Sequence, residues 1–127
     1  MKKAIISVDD DRLILDSLRF QLEKYFSKEF LLEFAESGDE ALEIINDLIK
    51  NKVDLLIIIS DYIIPKMDGE KLIRIVKKIL PSINVIMLTG QANNIVIKEL
   101  RNAKLLDKVI KKPWEETELI NSIKSFI

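Results

Sequence analysis

The 127-residue sequence contains no cysteine and no histidine. Without cysteine the chain has no disulfide, no thiolate nucleophile and no soft-metal site. Without histidine it has no Ser-His or Cys-His catalysis and lacks the usual zinc ligand, and it cannot carry a phosphohistidine of its own. Any bound metal must therefore be held by oxygen atoms, which favours Mg²⁺, Mn²⁺ or Ca²⁺.

The charge balance and the apolar segments exclude further classes. Twenty basic and 21 acidic residues give a formal charge of −1, so no direct contact with nucleic acid is expected. The N-terminus MKKAIISVDDD has too short an apolar run for a signal peptide. The uncharged stretch 79–97 is interrupted by Pro81, Asn84 and Gly90, so no membrane contact is expected. These features predict a cytoplasmic protein with a single domain over residues 1–127.

Short apolar runs alternate with segments of helical periodicity along the whole chain. The runs cover residues 4–8, 30–34, 55–59, 85–88 and 109–110, and each predicts a strand. Ser37 and Glu40 form a capping box before the second helix, and Pro81 ends the third helix. The last helix follows Pro113. Helical spacing places the following residues on the apolar faces of the first four helices: Tyr25, Ile49, Ile79 and Ala103. Five βα units predict an α/β fold with a doubly wound, five-stranded parallel sheet in the order 2-1-3-4-5.

Polar residues follow the predicted strands at their carboxyl ends. The groups are Asp9-Asp10-Asp11, Ser60-Asp61, Thr89-Gly90 and Lys111-Lys112-Pro113. Taken singly, each has an ordinary explanation, such as an N-cap for Asp11, but in this strand order all four meet at one edge of the sheet. Two carboxylates about 4 Å apart repel by roughly 1–4 kcal/mol, so the acidic cluster requires a cation. Lys112 supplies one charge, and Mg²⁺ suits the remaining carboxylates.

The motifs VDDD, SDYIIPKMDGE, LTG and KKP stand in this order across the whole chain. Together they resemble the receiver domain of bacterial two-component response regulators, a family with a flavodoxin-like (βα)5 fold. The resemblance implies that Asp61 accepts a phosphoryl group, that the Thr89 hydroxyl binds a phosphoryl oxygen, and that Lys112 contacts both the phosphoryl group and Asp61. It implies a Mg²⁺ site, with Mn²⁺ as an alternative ion, formed by Asp9, Asp10, Asp61 and the backbone carbonyl of Ile63.

The resemblance also implies partners. The phosphoryl donor would be a sensor histidine kinase or a histidine phosphotransfer protein, and acetyl phosphate should serve as a small donor. The domain would not be an enzyme with a separate substrate, although it would catalyse its own phosphorylation and dephosphorylation. Phosphorylation would alter the face formed by the fourth helix, fifth strand and fifth helix, which would control an output partner or domain and could form a homodimer. Both a stand-alone receiver and a module from a longer protein remain open.

The sequence departs from the family pattern at one position. Val109 stands where the family commonly has Tyr or Phe, three residues before Lys112, which puts the usual coupling of that ring to Thr89 in doubt. Ile63 and Gln91 take the positions that flank the path of hydrolytic water in the family. Pro65 and Gly69 are expected to shape the loop after Asp61. Packing at the start of the last helix is the expected role of Trp114. The resemblance also implies a cis peptide bond between Lys112 and Pro113, which an X-Pro bond permits at modest cost.

Two alternatives remain open from the sequence. A haloacid-dehalogenase-like phosphatase would use Asp9 as its nucleophile, with Asp11, Thr89 and a lysine in supporting roles, but it leaves the motif around Asp61 unexplained. A receiver that serves only as a docking module would never be phosphorylated. The aspartate that carries the phosphoryl group, Asp61 or Asp9, distinguishes the phosphatase from the receiver.

Overall fold

The computed structural model describes residues 1–64, 66–90 and 94–127. Five parallel strands form one sheet in the order β2-β1-β3-β4-β5, as predicted. The strands are β1 (Lys3–Val8), β2 (Phe30–Ala35), β3 (Asp54–Ser60), β4 (Asn84–Thr89) and β5 (Lys108–Lys111). The central strand β3 carries the run of five Leu and Ile residues, which suits a strand that is covered on both faces.

Helices alternate with the strands along the chain. They are α1 (Arg12–Phe26), α2 (Gly38–Lys50), α3 (Gly69–Ile79), α4 (Asn94–Asn102) and α5 (Glu116–Lys124). Asp11 caps α1, and Ser37 caps α2 by accepting a hydrogen bond from the Glu40 N–H at 3.1 Å. The Glu40 carboxylate in turn accepts a hydrogen bond from the N–H of Glu36, the residue before the cap, so the arrangement is close to the predicted capping box. No helix in the described part of the chain is long and apolar enough to cross a bilayer.

The sheet is covered by an apolar layer on each face. The helices α2, α3 and α4 pack against one face, and α1 and α5 pack against the other. Alternate residues of β3 serve the two layers, because successive side chains of a strand point to opposite faces. Leu55 and Ile58 lie in the first layer, whereas Ile57 and Ile59 lie in the second.

Some residues predicted on buried helix faces are exposed. In α1 the apolar face continues from Leu22 to the buried Phe26, four residues on, so that Tyr25 is 44% exposed. Residues three and four positions apart lie on the same face of a helix, so either Tyr25 or Phe26 could follow Leu22 on the buried face. The packing of α1 against the sheet buries Phe26. The other exposed residues of this kind are Ile49, Ile79 and Ala103, the last lying beyond the end of α4.

Pairing of the strands brings their carboxyl ends to one edge. Val8 of β1 lies opposite Ser60 of β3, and the N–H of Asp61 donates a hydrogen bond to the Val8 carbonyl at 3.1 Å. At the other side of the sheet, Thr89 of β4 lies opposite Lys111 of β5. The residues that follow these strands therefore enter the same cleft.

The helices α2 and α4 end in the same kind of turn, with a lysine in the left-handed region. Lys52 has φ 58° and Lys104 has φ 59°. In each turn the backbone N–H of the residue after the lysine donates a hydrogen bond to the carbonyl five residues earlier in the chain. These bonds run from Val53 N–H to Leu48 O and from Leu105 N–H to Leu100 O, both at 2.9 Å. This is the Schellman motif, in which glycine is the preferred residue.

Glycine at either position is expected to stabilise the fold. Lys52→Gly and Lys104→Gly should each raise the free energy of unfolding by about 0.5–1 kcal/mol, because glycine adopts the left-handed conformation without a Cβ clash. Urea denaturation measures this change. Lys50→Gly, within α2, is the matched control and should lower stability. A loss of stability in both turn variants would contradict the expectation.

Candidate functional site

Three carboxylates meet at the carboxyl edge of the sheet. Asp9 and Asp10 follow β1, and Asp61 follows the neighbouring strand β3. One oxygen from each lies within 4.8 Å of the others. Asp9 is buried, with 2% exposure, Asp61 is partly buried and Asp10 is exposed. The structure thus brings together the acidic residues that the sequence placed at this edge.

Lys112 reaches this cluster from the end of β5. Its Nζ donates a hydrogen bond to Asp61 Oδ2 at 3.0 Å and another to Asp9 Oδ2. Its backbone N–H donates to the Thr89 carbonyl at 3.3 Å, which anchors the residue beside β4. Lys111, its neighbour, is exposed. The peptide bond between Lys112 and Pro113 is cis, as expected.

Backbone donors orient the two carboxylates that bind the lysine. Asp9 Oδ1 accepts the N–H of Asp11 at 2.9 Å, and Asp61 Oδ1 accepts the N–H of Ile63 at 3.4 Å. Each carboxylate therefore uses one oxygen for the backbone and the other for Lys112. Asp11 has the capping role that its position favours, since its Oδ1 accepts the N–H of Leu13 at 2.9 Å.

Burial and pairing act in opposite directions on the ionisable groups. Burial raises the pKa of Asp9, which outweighs the lowering by the hydrogen bond from Lys112, and the nearby charge of Asp61 raises it further. Burial lowers the pKa of Lys112, but its hydrogen bonds to Asp9 and Asp61 outweigh this effect, so the pKa is raised. Lys112 therefore stays an ammonium ion at neutral pH, as its contacts require.

The donor set fits a divalent cation that prefers oxygen. When all groups are ionised, three carboxylates face one ammonium, which leaves an excess of negative charge. The cleft between them has a volume of about 390 Å³ and is lined by Asp9, Asp10, Asp11, Asp61, Ile63, Gly90 and Lys112. Carboxylate oxygens beside open space suit Mg²⁺, which keeps several waters and binds through one or two carboxylates. No other group of three acidic side chains among the described residues has this convergence.

A larger cleft lies away from this cluster. It has a volume of about 480 Å³ and is lined by residues such as Lys2, Glu33 and Asp47, near the beginning of β1 and the end of α2. Only two of the residues that line it, Glu33 and Asp47, are acidic, so it offers no cluster of three carboxylates. Chemistry, rather than size, therefore identifies the carboxylate cleft as the candidate site.

Gly69 permits the loop after Asp61 to fold closely against α3. A Cβ at this position would lie 2.3 Å from the carbonyl oxygen of Asp61 and 2.8 Å from the Cα of Tyr62. The Gly69 N–H donates to the Tyr62 carbonyl at 2.6 Å. Only glycine allows this approach of two backbone segments, which agrees with the predicted role of Gly69 in shaping the loop.

Of the remaining predicted site residues, Ile63 lines the cleft, Thr89 is the last residue of β4 and Val109 lies within β5. Thr89 is buried at the end of β4, and Ile63 is 50% exposed at the rim. The carbonyl of Ile63 as a metal ligand stays a prediction. Val109, which replaces the family's aromatic residue, is partly buried against the layer that α3 and α4 cover. Pro65 and Gln91 lie outside the described residues.

Sequence reasoning missed two features of the site. The direct ion pair between Asp9 and Lys112 was not predicted, because only Asp61 was assigned to the lysine. The hydrogen bond between Trp114 and Gln21 was also missed, although the predicted packing of Trp114 beside α5 is confirmed. No local pattern identifies either pair, since each joins residues about a hundred positions apart.

Removal of one carboxylate should stabilise the metal-free protein. Asp10→Asn should raise the free energy of unfolding by about 0.5 kcal/mol at low salt, because it relieves repulsion within the cluster. Asp61→Asn should act in the same direction but less strongly, since it also removes a contact of Lys112. Thermal denaturation in the presence of a chelator measures both. The gain should shrink in high salt, and destabilisation of both variants at low salt would contradict the repulsion.

The fold is a parallel sheet covered by helices on both faces. An acidic cluster at the carboxyl ends of β1 and β3, together with a lysine at the carboxyl end of β5, defines a receiver-type domain. The sequence matches the response regulator receiver domain family over residues 5–124. The chain therefore belongs to this family, the receiver domains of two-component response regulators.

Relatives and solved structures agree with this assignment. The chain is 30% identical to sporulation initiation phosphotransferase F of Bacillus subtilis over 128 aligned residues, which cover 100% of the chain and 95% of that protein. It is similar to the structure of a CheY-like receiver domain protein from Methanospirillum hungatei, with 31% identity, a TM-score of 0.82 and coverage of 98% and 93% of the two chains. A receiver domain from Clostridium thermocellum shows 28% identity, a TM-score of 0.81 and coverage of 100% and 94%.

Other relatives are much longer than this chain. The sensor kinase CckA of Brucella abortus is 33% identical over 80% of the chain, which corresponds to 10% of that protein. The regulatory protein YesN of Bacillus subtilis is 31% identical over 97% of the chain, or 32% of its own length. The chain thus spans about a tenth of the length of CckA and about a third of the length of YesN.

Proposed function

We propose that Asp61 takes a phosphoryl group from a phosphohistidine of a sensor histidine kinase or histidine phosphotransfer protein. The observation that carries this proposal is the position of the Asp61 carboxylate, which faces an open cleft beside two further carboxylates and lies 3.0 Å from the Lys112 ammonium. One relative is named a sensor kinase and another a phosphotransferase, and these names support a partner of this class.

The reaction is a displacement at phosphorus. An oxygen of the ionised Asp61 carboxylate attacks the phosphorus atom, the P–N bond of the donor breaks, and its electron pair stays on the departing imidazole nitrogen. No general base is needed, because the attacking carboxylate has no proton to lose. Asp9, Asp10, Asp61 and the Ile63 carbonyl would hold Mg²⁺, with Mn²⁺ as an alternative. When bound, the ion supplies positive charge that neutralises the phosphoryl oxygens.

The chain's own groups complete the site. The Lys112 ammonium, now shared between Asp9 and Asp61, donates to a phosphoryl oxygen as charge develops there. The Thr89 hydroxyl, at the end of β4, donates to another. These new contacts shift the populations of the face formed by α4, β5 and α5, through which the domain would control an output partner or form a homodimer. Val109 leaves this coupling without the family's aromatic ring.

The proposal is tested by mass spectrometry after incubation with acetyl phosphate and Mg²⁺. The wild-type protein should gain the mass of one phosphoryl group, located at Asp61 by peptide mapping, and Asp61→Asn should not gain it. Asp68→Asn is the matched control on the same loop, because asparagine can also cap α3 as Asp68 does through the N–H of Lys71. Labelling that persists in Asp61→Asn would overturn the proposal.

The two alternatives to this function differ in what they predict. The family assignment leaves no support for a haloacid-dehalogenase-like phosphatase, and the side chain of Asp9, at 2% exposure, is less accessible to a phosphoryl donor than that of Asp61, at 12%. A receiver that only docks would show no labelling in the wild-type protein, with acetyl phosphate or with a purified kinase. The intact acidic cluster argues against that second alternative.

A further inference from the structure

The single tryptophan of the chain is tied to α1 close to the functional cleft. Trp114 stands two residues after Lys112, and its Nε1 donates a hydrogen bond to Gln21 Oε1 at 2.8 Å. The ring packs against the apolar layer that α1 and α5 share. The segment between β5 and α5 is therefore anchored to α1 at a position adjacent to the lysine that enters the cleft.

The same helix begins beside the acidic cluster. Asp11 caps α1, and its N–H orients the Asp9 carboxylate that binds Lys112. Consequently α1 contacts both partners of the ion pair, Asp9 directly at its beginning and Lys112 indirectly through Gln21 and Trp114. On the side of the sheet, Lys112 is held by its N–H bond to the Thr89 carbonyl at 3.3 Å, and Trp114 is an anchor on the side beyond the sheet.

A contact between α1 and α5 lies farther along the chain from Lys112. Glu116 Oε2 accepts a hydrogen bond from the Tyr25 hydroxyl at 3.0 Å and pairs with Lys24 Nζ at 2.9 Å. Like the bond between Gln21 and Trp114, this contact ties α1 to the chain that follows β5 through a side-chain hydrogen bond, but it is four residues from Lys112 instead of two. It therefore provides an internal comparison for the bond between Gln21 and Trp114.

We propose that Gln21 and Trp114 are positioning residues that hold the Lys112 ammonium within reach of Asp61. The inference rests on the proposed function, in which Lys112 must move from two carboxylates onto a phosphoryl oxygen. The lysine side chain is long and flexible, so its effective position depends on how firmly its backbone is held. A small displacement of a group that contacts the reacting atoms lowers the rate strongly.

Substitutions at the two positions should have matching effects. Gln21→Met retains the length of the side chain without the acceptor, and Trp114→Phe retains a ring without the donor. Each should lower the rate of Asp61 labelling by acetyl phosphate about tenfold, a typical effect of losing a supporting contact. The double variant should lose no more than either single variant, because all three remove the same bond. Gln21→Glu keeps an acceptor and should restore most of the rate.

Tyr25→Phe is the matched control, since it removes the comparable hydrogen bond to Glu116. Its labelling rate should stay within about twofold of wild type. Rates are compared at a temperature at which circular dichroism shows every variant folded. Equal losses in Tyr25→Phe and Gln21→Met, or no loss in Gln21→Met and Trp114→Phe, would overturn the proposal.

A second readout separates this inference from the proposed function. The ¹H–¹⁵N signal of the Lys112 ammonium, assigned by its disappearance in Lys112→Met, should shift or broaden in Gln21→Met and Trp114→Phe and should return in Gln21→Glu. If wild type is never labelled at Asp61 but this pattern holds, the proposed function fails and the positioning of Lys112 stands. An unchanged Lys112 signal in both variants overturns the positioning role whatever the labelling result.

Discussion

Lys112→Met is expected to lower the free energy of unfolding by about 3 kcal/mol at pH 7 without metal. The substitution removes the only ammonium that the structure shows in contact with Asp9 and Asp61 within the described chain. Asp9 is almost fully buried, and a buried carboxylate left without its partner is costly. Methionine retains most of the side-chain volume, so the loss reflects charge more than packing. Urea denaturation with a chelator present measures it.

The loss of stability in Lys112→Met should increase as the pH rises. Burial raises the pKa of Asp9 in the folded protein, and loss of the hydrogen bond from Lys112 raises it further. A carboxyl group with a raised pKa binds its proton more tightly when folded, so stability falls as pH rises from its unfolded to its folded pKa. Protonated Asp9 also needs no partner. The deficit should therefore be small near pH 4 and fully developed at pH 7.

Lys111→Met provides the matched control. Lys111 is adjacent in sequence but exposed, and its substitution should change stability by less than about 0.5 kcal/mol. A Lys112→Met protein as stable as wild type at pH 7 would contradict the electrostatic role of the lysine. A deficit that is equally large at pH 4 and pH 7 would instead indicate that lost packing is its cause.

Millimolar Mg²⁺ is expected to raise the melting temperature of the wild-type protein by several degrees. An ion that binds only the folded state stabilises it by RT ln(1 + [L]/Kd), or about 1.4 kcal/mol at ten times the Kd. The physical basis is the excess negative charge of Asp9, Asp10 and Asp61 after pairing with Lys112. Differential scanning fluorimetry across a Mg²⁺ titration measures the shift.

Two controls distinguish site binding from a general salt effect. Asp10→Asn should lose most of the Mg²⁺-dependent shift, because it removes the exposed carboxylate of the cluster, while its metal-free stability rises. Na⁺ at matched ionic strength should reproduce little of the wild-type shift. A melting curve that does not respond to Mg²⁺, or an equal response in Asp10→Asn, would count against a site at these carboxylates.

Much of the site's location could be predicted from the sequence because it depends on general rules of α/β folds. The run from Leu55 to Ile59 identified the central strand, and the strand order followed from the number of βα units. Parallel strands point their carboxyl ends to one edge, so the sequence predicts that Asp9 and Asp61 meet there. The caps at Asp11 and Ser37 were also predictable, because they depend on residues next to one another in the chain.

The wrong predictions concern which residues of a helix are buried, because tertiary packing selects the buried face. Tyr25 and Phe26 are both compatible with the spacing from Leu22, and the structure buries Phe26 while Tyr25 binds Glu116 at the surface. The choice depends on the angle at which α1 crosses the sheet, which periodicity alone does not specify.

The sequence by itself determined the alternation of strands and helices, the order of the sheet and the edge at which its acidic residues gather. These follow from local periodicity and from the handedness of βα connections. Only the tertiary structure decided that Lys112 joins Asp9 as well as Asp61, and that Gln21 binds Trp114. Such pairs join residues far apart in the chain, so they depend on side-chain packing between elements and leave no signal in the local pattern.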